Sequence, residues 1–200
     1  MEKQLLLIFT KNPELGKCKT RLAKSIGNEK ALFVYQHLLQ HTAKEVSKTK
    51  SDIALFYTNF VDENDLWSNN YHKKIQIEGH LGEKMKEAFQ WGFNLGYKKV
   101  CIIGTDLLSL EAKDVHESFK LLDKNEIVFG PAEDGGYYLM AMKKLYKEAF
   151  LNKAWSTSLV LEQTIKDLPL LKIGYLKTKN DIDTFEDLKK SNFDLSLIDL

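Results

Sequence analysis

The sequence predicts an α/β protein with three layers (α/β/α), in which helices cover both faces of a mostly parallel, mixed central sheet. Short apolar runs alternate with longer stretches of helical periodicity, which is typical of parallel strands joined by crossover helices. The composition suits a globular domain, since 44% of the 200 residues are hydrophobic and 28% are charged. No repeat, low-complexity tract or linker divides the chain, and residues 1–200 are therefore predicted to form a single domain.

The first five predicted strands are short and largely apolar, which is the pattern of strands buried on both faces of a sheet. They lie at residues 4–10, 52–58, 73–77, 99–104 and 126–130. These runs supply most of the predicted central sheet.

Stretches with apolar residues about every 3.6 positions separate these strands and predict helices. One helix is predicted over residues 29–48, with Asn28 as its N-terminal cap, and another over residues 111–122, with Ser109 as its cap. A further helix is predicted over residues 82–95. Strands and helices that alternate in this way predict parallel strands with helical crossovers.

The pattern changes after Gly130. The remaining predicted elements are a strand at 137–142, a short helix after it, a helix at 156–166, a strand at about 170–176 and a helix at 185–190. This part of the chain predicts at least one antiparallel strand in the sheet. In open sheets of this kind, ligands bind outside the carboxyl ends of the strands.

Composition and charge exclude several classes of function. The 29 basic residues nearly balance the 28 acidic ones, so no overall field attracts nucleic acid or an anionic membrane. No early apolar run reaches the ~18 residues of a membrane span or the length of a secretory signal, which predicts a cytoplasmic protein. Cys18 and Cys101 lie far apart without a disulfide or zinc pattern, so reduced thiols are expected. Nothing in the sequence indicates an oligomer.

A basic loop follows the first predicted strand and leads into a helix that begins near Thr20. Four cations lie in the eleven residues from Lys11 to Arg21, and Lys19 is among them. The free N–H groups and partial positive charge of a helix N-terminus suit phosphate, and Gly16 would allow a close approach of the backbone. The loop is neither a Walker A loop nor a GxGxxG motif, and a solvated surface loop is the alternative interpretation.

Arg21 is the only arginine among the 29 basic residues. Because the chain uses lysine elsewhere, this arginine indicates a position that requires a planar, bidentate and permanently charged side chain. An arginine without a function on a helix surface is the alternative. We expect Arg21 to bind phosphate.

Carboxylates follow later segments of the predicted sheet. Asp106 comes directly after an apolar strand and is predicted to bind a metal ion, with a loop or capping carboxylate as the alternative. Glu133 and Asp134 precede two glycines in a turn that exposes both acids, although turn chemistry alone explains this pattern. Asp183 lies in a segment that would also serve to cap the last helix. Together with the basic loop, these groups supply the cations and oxygen ligands of a metal-bound nucleoside diphosphate.

Six motifs lie in order along the chain. They are Lys11-x-Pro13-x-x-Gly16-x-x-Lys19-Thr20-Arg21-Leu22, Leu81-Gly82-Glu83-Lys84-Met85, Gly104-Thr105-Asp106, the stretch GPAEDGGYYL from Gly130 to Leu139, Trp155-Ser156-Thr157 and Asp183-Thr184-x-x-Asp187-Leu188. In this order they resemble the nucleotide-diphospho-sugar transferase superfamily, whose fold is GT-A-like and related to the Rossmann fold. More narrowly, they resemble a bacterial glycosyltransferase A-like family sometimes linked to arsenosugar biosynthesis. The basic loop also resembles that of phospholactate and molybdenum-cofactor guanylyltransferases.

The resemblance implies a role for each group of residues. It implies nucleotide or phosphate binding by Lys11, Gly16, Lys19, Arg21, Gly82 and Met85, and metal binding by Asp106 and Asp183. An inverting sugar transfer also needs a carboxylate that takes the acceptor proton, so Asp134 and Glu133 are predicted to be catalytic, together with Arg21. The implied cofactor is Mg²⁺ or Mn²⁺. The sequence departs from the family at His80, Lys84 and Leu108, where aspartate, arginine and proline are usual.

We expect a metal-dependent transferase that uses a nucleotide-sugar donor on a small acceptor. The first alternative is a nucleotidyltransferase that makes a nucleotide-diphospho product from a nucleoside triphosphate and a phosphorylated small molecule. In both reactions negative charge develops on a leaving phosphate group, which the metal and the loop cations would stabilise. The second alternative is a noncatalytic module that binds nucleotides.

Overall fold

A seven-stranded mixed sheet forms the centre of the protein. The computed structural model describes residues 3–199, and the predicted domain limits at residues 1 and 200 lie outside the described residues. The strands are β1 (Gln4–Thr10), β2 (Asp52–Tyr57), β3 (His72–Ile75), β4 (Lys99–Ile103), β5 (Ile127–Pro131), β6 (Tyr137–Met142) and β7 (Ile173–Tyr175). Their order in the sheet is β3-β2-β1-β4-β6-β5-β7.

The helices cover both faces of this sheet. They are α1 (Thr20–Ile26), α2 (Asn28–Val46), α3 (Leu81–Asn94), α4 (Ala112–Leu121), α5 (Val160–Lys166) and α6 (Phe185–Lys190), with 3₁₀ helices at Lys147–Phe150 and Leu195–Ile198. In β1, Leu6 and Ile8 pack into one buried apolar cluster with α2 and α4, whereas Leu5 and Leu7 pack into another with α3. The predicted three-layer α/β/α fold is confirmed.

The sheet is mixed because β6 runs antiparallel to both of its neighbours, β4 and β5. The other neighbouring strands are parallel. From β1 the chain crosses to β2 on one side, and β4 later pairs with β1 on the other side. The carboxyl ends of β1 and β4 therefore flank the point at which a doubly wound sheet opens a crevice for a ligand.

Several local predictions are wrong at the ends of the elements. Asn28 does not cap α2, because it is the first helical residue and Gly27 occupies the cap position. Ser109 does not cap α4 either. Glu111 takes that place, and its N–H donates to the Asp114 carboxylate at 2.8 Å, so this backbone group at the start of the helix gains a partner.

Two predicted elements in the last third are shorter than expected. The helix predicted at residues 156–166 begins only at Val160, because Ser156 has a φ of 62° and cannot belong to a right-handed helix. The strand predicted at about residues 170–176 covers only Ile173–Tyr175. The short helix after β6 is a 3₁₀ helix, Lys147–Phe150.

A third apolar cluster joins α1, α2 and α6. Leu22, Leu38 and Leu188 are fully buried in this cluster, which holds the end of the chain against the first two helices. Cys18 and Cys101 are both buried and unpaired, as predicted. Within residues 3–199, no helix has the length and apolar character needed to cross a membrane.

Candidate functional site

A cavity of about 440 Å³ opens at the carboxyl ends of β1 and β4. Its walls come from the ends of these two strands, the first turns of α3, the turn before β6 and residues 155–160. Its volume lies in the range of small-molecule sites in proteins. The cavity therefore occupies the place where the sheet topology predicts a ligand.

The loop after β1 is fixed on both sides by buried polar side chains. The Tyr35 hydroxyl accepts the Lys11 N–H at 2.9 Å and donates to the Lys11 carbonyl at 3.0 Å. Asn12 accepts the Asn59 N–H at 3.1 Å and donates to the Phe60 carbonyl at 2.9 Å. These bonds present Lys11, which is exposed, at the wall of the cavity.

Tyr35 lines the cavity, although the sequence alone did not indicate it as a site residue. Burial raises the pKa of its hydroxyl to about 12, which keeps it a neutral donor and acceptor. It also lies 3.2 Å from the Thr105 hydroxyl, and thereby connects the loops after β1 and β4. On α2 this tyrosine falls on the apolar face, where its position alone indicates only a core residue.

Lys19 and Asp106 form an ion pair between these same two loops. Lys19 occupies the cap position of α1 in the left-handed conformation, with a φ of 47°. Its side chain is buried, and its Nζ contacts the carboxylate of Asp106, which lines the cavity. A predicted phosphate-binding cation thus contacts a predicted metal-binding carboxylate.

Arg21 and Asp183 form a second pair of the same kind. Arg21 Nη1 lies 2.9 Å from Asp183 Oδ2, and both side chains are exposed to solvent. Neither residue is among those that line the cavity. The Ile182 N–H donates to the Asp106 carbonyl at 2.9 Å, which holds the segment from residue 181 to residue 183 against the loop after β4.

Asp181 lines the cavity, although the sequence analysis selected Asp183, two residues later in the chain. The carboxylates of Asp181, Asp106 and Asp134 all line this space. Burial raises the pKa of Asp181 to about 6, and the nearby carboxylates Asp134 and Asp106 add to this effect. The site therefore has an excess of negative charge that a cation would relieve.

The raised pKa of Asp181 predicts a dependence of stability on pH. Its value in the folded protein exceeds the value near 4 of a free aspartate, so stability falls as the pH rises from about 4 to about 6. Asp181→Asn removes this loss, and we expect it to stabilise the protein by about 1–2 kcal/mol at pH 7.5, since partial exposure reduces the effect. Urea unfolding from pH 4 to 7.5 measures the free energy of unfolding of the wild-type protein and of Asp181→Asn. The same dependence of this free energy on pH in both proteins would contradict the prediction.

Asp134 and Glu133 have different positions despite being neighbours. Asp134 lines the cavity, and its Oδ1 accepts the Gly136 N–H at 2.7 Å. The other carboxylate oxygen, Oδ2, does not take part in this hydrogen bond. Glu133 is exposed and is not among the lining residues. At Gly135, which has a φ of 89°, a Cβ would lie 2.2 Å from the Ser158 carbonyl oxygen, so only glycine fits this turn.

Gly82 and Met85, for which the resemblance implies nucleotide binding, lie in the first turns of α3. Met85 lines the cavity directly. A Cβ at Gly82 would lie 2.4 Å from the Trp155 ring, so this glycine lets Trp155 form a wall of the cavity. His80 is the cap of α3 and forms a capping box with Glu83.

Gly16 lies in the loop before α1 and has a φ of 74°, a conformation that favours glycine. It is not among the residues that line the cavity. The conformation explains the need for glycine at this position, and its contact with phosphate remains a prediction.

The carboxylates have chemistry that suits a divalent metal ion. Asp106 presents hard oxygen ligands at the cavity, partly open to solvent. Within residues 3–199, no group of three or more histidine, cysteine, aspartate or glutamate side chains is arranged to hold a metal. Mg²⁺ commonly takes one or two carboxylates and completes its shell with water and substrate phosphates, which fits this arrangement.

Residues 41–157 match a family model described as "Uncharacterized protein conserved in bacteria (DUF2064)". The chain belongs to this family. The match includes Asp106, Asp134 and the motif that begins at Trp155. A comparison with curated proteins found no match to the chain.

Comparison with solved structures extends this assignment. A crystal structure from Desulfovibrio desulfuricans G20, of a protein classed by inference as a nucleotide-diphospho-sugar transferase, is 29% identical in sequence and superposes with a TM-score of 0.86. The similarity covers 98% of this chain and 90% of that one. The predicted superfamily resemblance is thereby confirmed, and the DUF2064 chain is an enzyme of the transferase type.

More distant structures share the fold. A cytidylyltransferase from Leptospira borgpetersenii is 13% identical with a TM-score of 0.61, over 94% of this chain and 84% of that one. The 4-diphosphocytidyl-2C-methyl-D-erythritol synthase from Anaerococcus prevotii is 15% identical with a TM-score of 0.62, over 95% of both chains. At this identity the likeness concerns the architecture alone.

Proposed function

We propose that this DUF2064 protein transfers a group from a nucleotide-diphospho-sugar to a small acceptor with the aid of Mg²⁺ or Mn²⁺. The observation that carries the proposal is the cavity at the ends of β1 and β4, where Lys11, Asp106 and Asp134 line one space. A cation, a ligand for a hard metal ion and a carboxylate that takes the acceptor proton are the groups that an inverting sugar transfer requires. The Desulfovibrio protein, similar over nearly the whole chain, supports the same class of donor.

The diphosphate is proposed to bind between the basic loop and Asp106. Lys11 lines the cavity and the ammonium group of Lys19 contacts the Asp106 carboxylate, so these two lysines would hold the phosphates and Asp106 would hold the metal. The guanidinium group of Arg21 is proposed to exchange Asp183 for the phosphates and to bind them with two N–H groups. Gly16 is proposed to let the backbone of the loop approach the phosphates closely. The bound metal supplies positive charge against the negative charge of the leaving diphosphate.

Asp134 is proposed to take the proton of the acceptor. One of its oxygens accepts the Gly136 N–H, which orients the carboxylate and leaves the other oxygen for a hydroxyl group. Glu133, although predicted as a candidate for the same role, is exposed and is not among the residues that line the cavity. Trp155 and Met85 are proposed to exclude water from the donor.

Nucleotidyl transfer is the second candidate. The observation that favours it is the basic loop, because Lys11 and Lys19 suit a triphosphate as well as a diphosphate. In this reaction the acceptor is already a phosphate, so a general base is not required. Asp134 would then have no essential proton to remove.

The experiment combines ligand binding with product analysis. Thermal shifts are measured with nucleoside diphosphates, nucleoside triphosphates and nucleotide sugars, each with and without Mn²⁺, since a ligand of the folded state raises the melting temperature. We expect a nucleotide sugar with Mn²⁺ to give the largest shift. Mass spectrometry then distinguishes a glycosylated acceptor from a nucleotide-diphospho product, and the absence of any nucleotide-dependent shift would contradict both candidates.

A further inference from the structure

We propose that the Lys19–Asp106 ion pair couples the metal to the nucleotide, so that the protein takes its donor as a metal–nucleotide complex and binds either component alone only weakly. This inference rests on the proposed function, because it assumes that phosphate and metal meet at this site. It concerns a property that the proposed function does not require, namely how the site is held before the ligand arrives.

The pair joins the two groups that the ligand needs. The Lys19 side chain is only 5% exposed, whereas that of Asp106 is 49% exposed and lines the cavity. Lys19 is held at the cap position of α1, in the left-handed conformation, with its ammonium group on the Asp106 carboxylate. A buried ammonium group without a partner is costly, so Lys19 leaves Asp106 only for another anion.

Either ligand alone leaves one charge of this pair without a partner. Phosphate alone would draw Lys19 away and face the Asp106 carboxylate, which repels it. A metal ion alone would occupy Asp106 and face the released, buried ammonium group of Lys19. When both ligands bind together, Lys19 gains the phosphate and Asp106 gains the metal. The two ligands therefore strengthen each other's binding, and the coupling has the same size in both directions.

The second pair, Arg21 with Asp183, contributes little to this coupling. Its side chains are 61% and 42% exposed, so either partner turns to water when the other leaves. Exposed pairs of this kind contribute little in general. The coupling is therefore assigned to the buried pair.

The test measures the binding of Mn²⁺ alone. Free Mn²⁺ is counted by electron paramagnetic resonance in titrations of the wild-type protein, Lys19→Met and Lys17→Met. Lys17 belongs to the same loop but pairs with Glu14 at the surface, whereas Lys19 pairs with Asp106. We expect Lys19→Met to bind Mn²⁺ about 10-fold more tightly than the wild type, as coupling of ordinary size would give, and Lys17→Met to show no change.

A second variant tests the opposite side of the pair. Inorganic phosphate is titrated in the presence of EDTA against the wild-type protein and Asp106→Asn. The amide keeps the shape of the side chain and removes its negative charge, so we expect phosphate to bind about 10-fold more tightly. A cooperative melting curve shows whether each variant is folded. If Lys19→Met is not folded, the phosphate titration of Asp106→Asn still tests the proposal.

The outcomes separate this inference from the proposed function. If the wild-type protein binds nucleotide in a Mn²⁺-dependent manner, but neither variant gains affinity, the coupling through this pair is wrong and the proposed function stands. If the wild-type protein shows no Mn²⁺-dependent binding of any nucleotide, the proposed function fails and this inference fails with it. Tighter binding of Mn²⁺ by Lys19→Met and of phosphate by Asp106→Asn, with unchanged Mn²⁺ binding by Lys17→Met, supports coupling through the Lys19–Asp106 pair.

Discussion

Asp106→Ala is expected to remove the metal dependence of nucleotide binding and to lower turnover by about 100- to 1,000-fold. Asp106 is the predicted metal ligand that the structure places on the wall of the cavity, and its contact with Lys19 ties it to the basic loop. The change leaves no hard oxygen ligand at this position. Turnover measured across a Mn²⁺ titration gives the result.

Asp183→Ala is the matched control for this prediction. Asp183 was predicted as a second metal ligand, but its carboxylate pairs with the exposed Arg21 and does not line the cavity. We expect Asp183→Ala to retain the Mn²⁺ dependence. Loss of this dependence in Asp183→Ala with its retention in Asp106→Ala would transfer the metal site to the other carboxylate and contradict the assignment made here.

Asp134→Asn is expected to slow sugar transfer by about 100- to 10,000-fold, the usual contribution of a general base, without weakening nucleotide binding. The amide oxygen still accepts the Gly136 N–H, so the turn before β6 keeps its conformation. Only the ability to take a proton is lost. Initial rates of glycoside formation and nucleotide affinity are measured on the same preparation.

Glu133→Gln distinguishes the two neighbouring carboxylates. Glu133 is exposed outside the cavity, so we expect this variant to retain its rate of sugar transfer. Loss of activity in Glu133→Gln with full activity in Asp134→Asn would assign the base to Glu133. If Asp134→Asn instead remains fully active and the product is a nucleotide-diphospho compound, the protein is a nucleotidyltransferase.

Most of the fold could be predicted from the sequence because its signals are local. Hydrophobic runs and helical periodicity placed β1, β6 and α6 with the bounds that the structure shows. The caps at Asn28 and Ser109 were wrong because a capping residue is decided by backbone geometry at the helix end. Gly27, at a φ of 84°, supplies that geometry for α2.

The candidate site was only partly predictable because it depends on contacts between distant parts of the chain. Lys11, Asp106, Asp134 and Met85 all line the cavity, since each lies near the carboxyl end of a strand or the first turn of a helix. Asp181 was missed because residues 181–183 form no helix or strand, so the sequence gives no periodicity from which the direction of either carboxylate follows. The hydrogen bond from the Ile182 N–H to the Asp106 carbonyl holds this segment against the loop after β4, and the sequence does not show this bond.

The most direct measurement is anomalous diffraction at the manganese edge from crystals grown with Mn²⁺ and a nucleoside diphosphate. The account predicts a manganese peak at about 2.0–2.2 Å from an Asp106 carboxylate oxygen, as hard-metal ligands require. It also predicts that the diphosphate lies in the same cavity within reach of Lys11 and Lys19. A manganese ion at another site, or a nucleotide outside this cavity, would contradict the account.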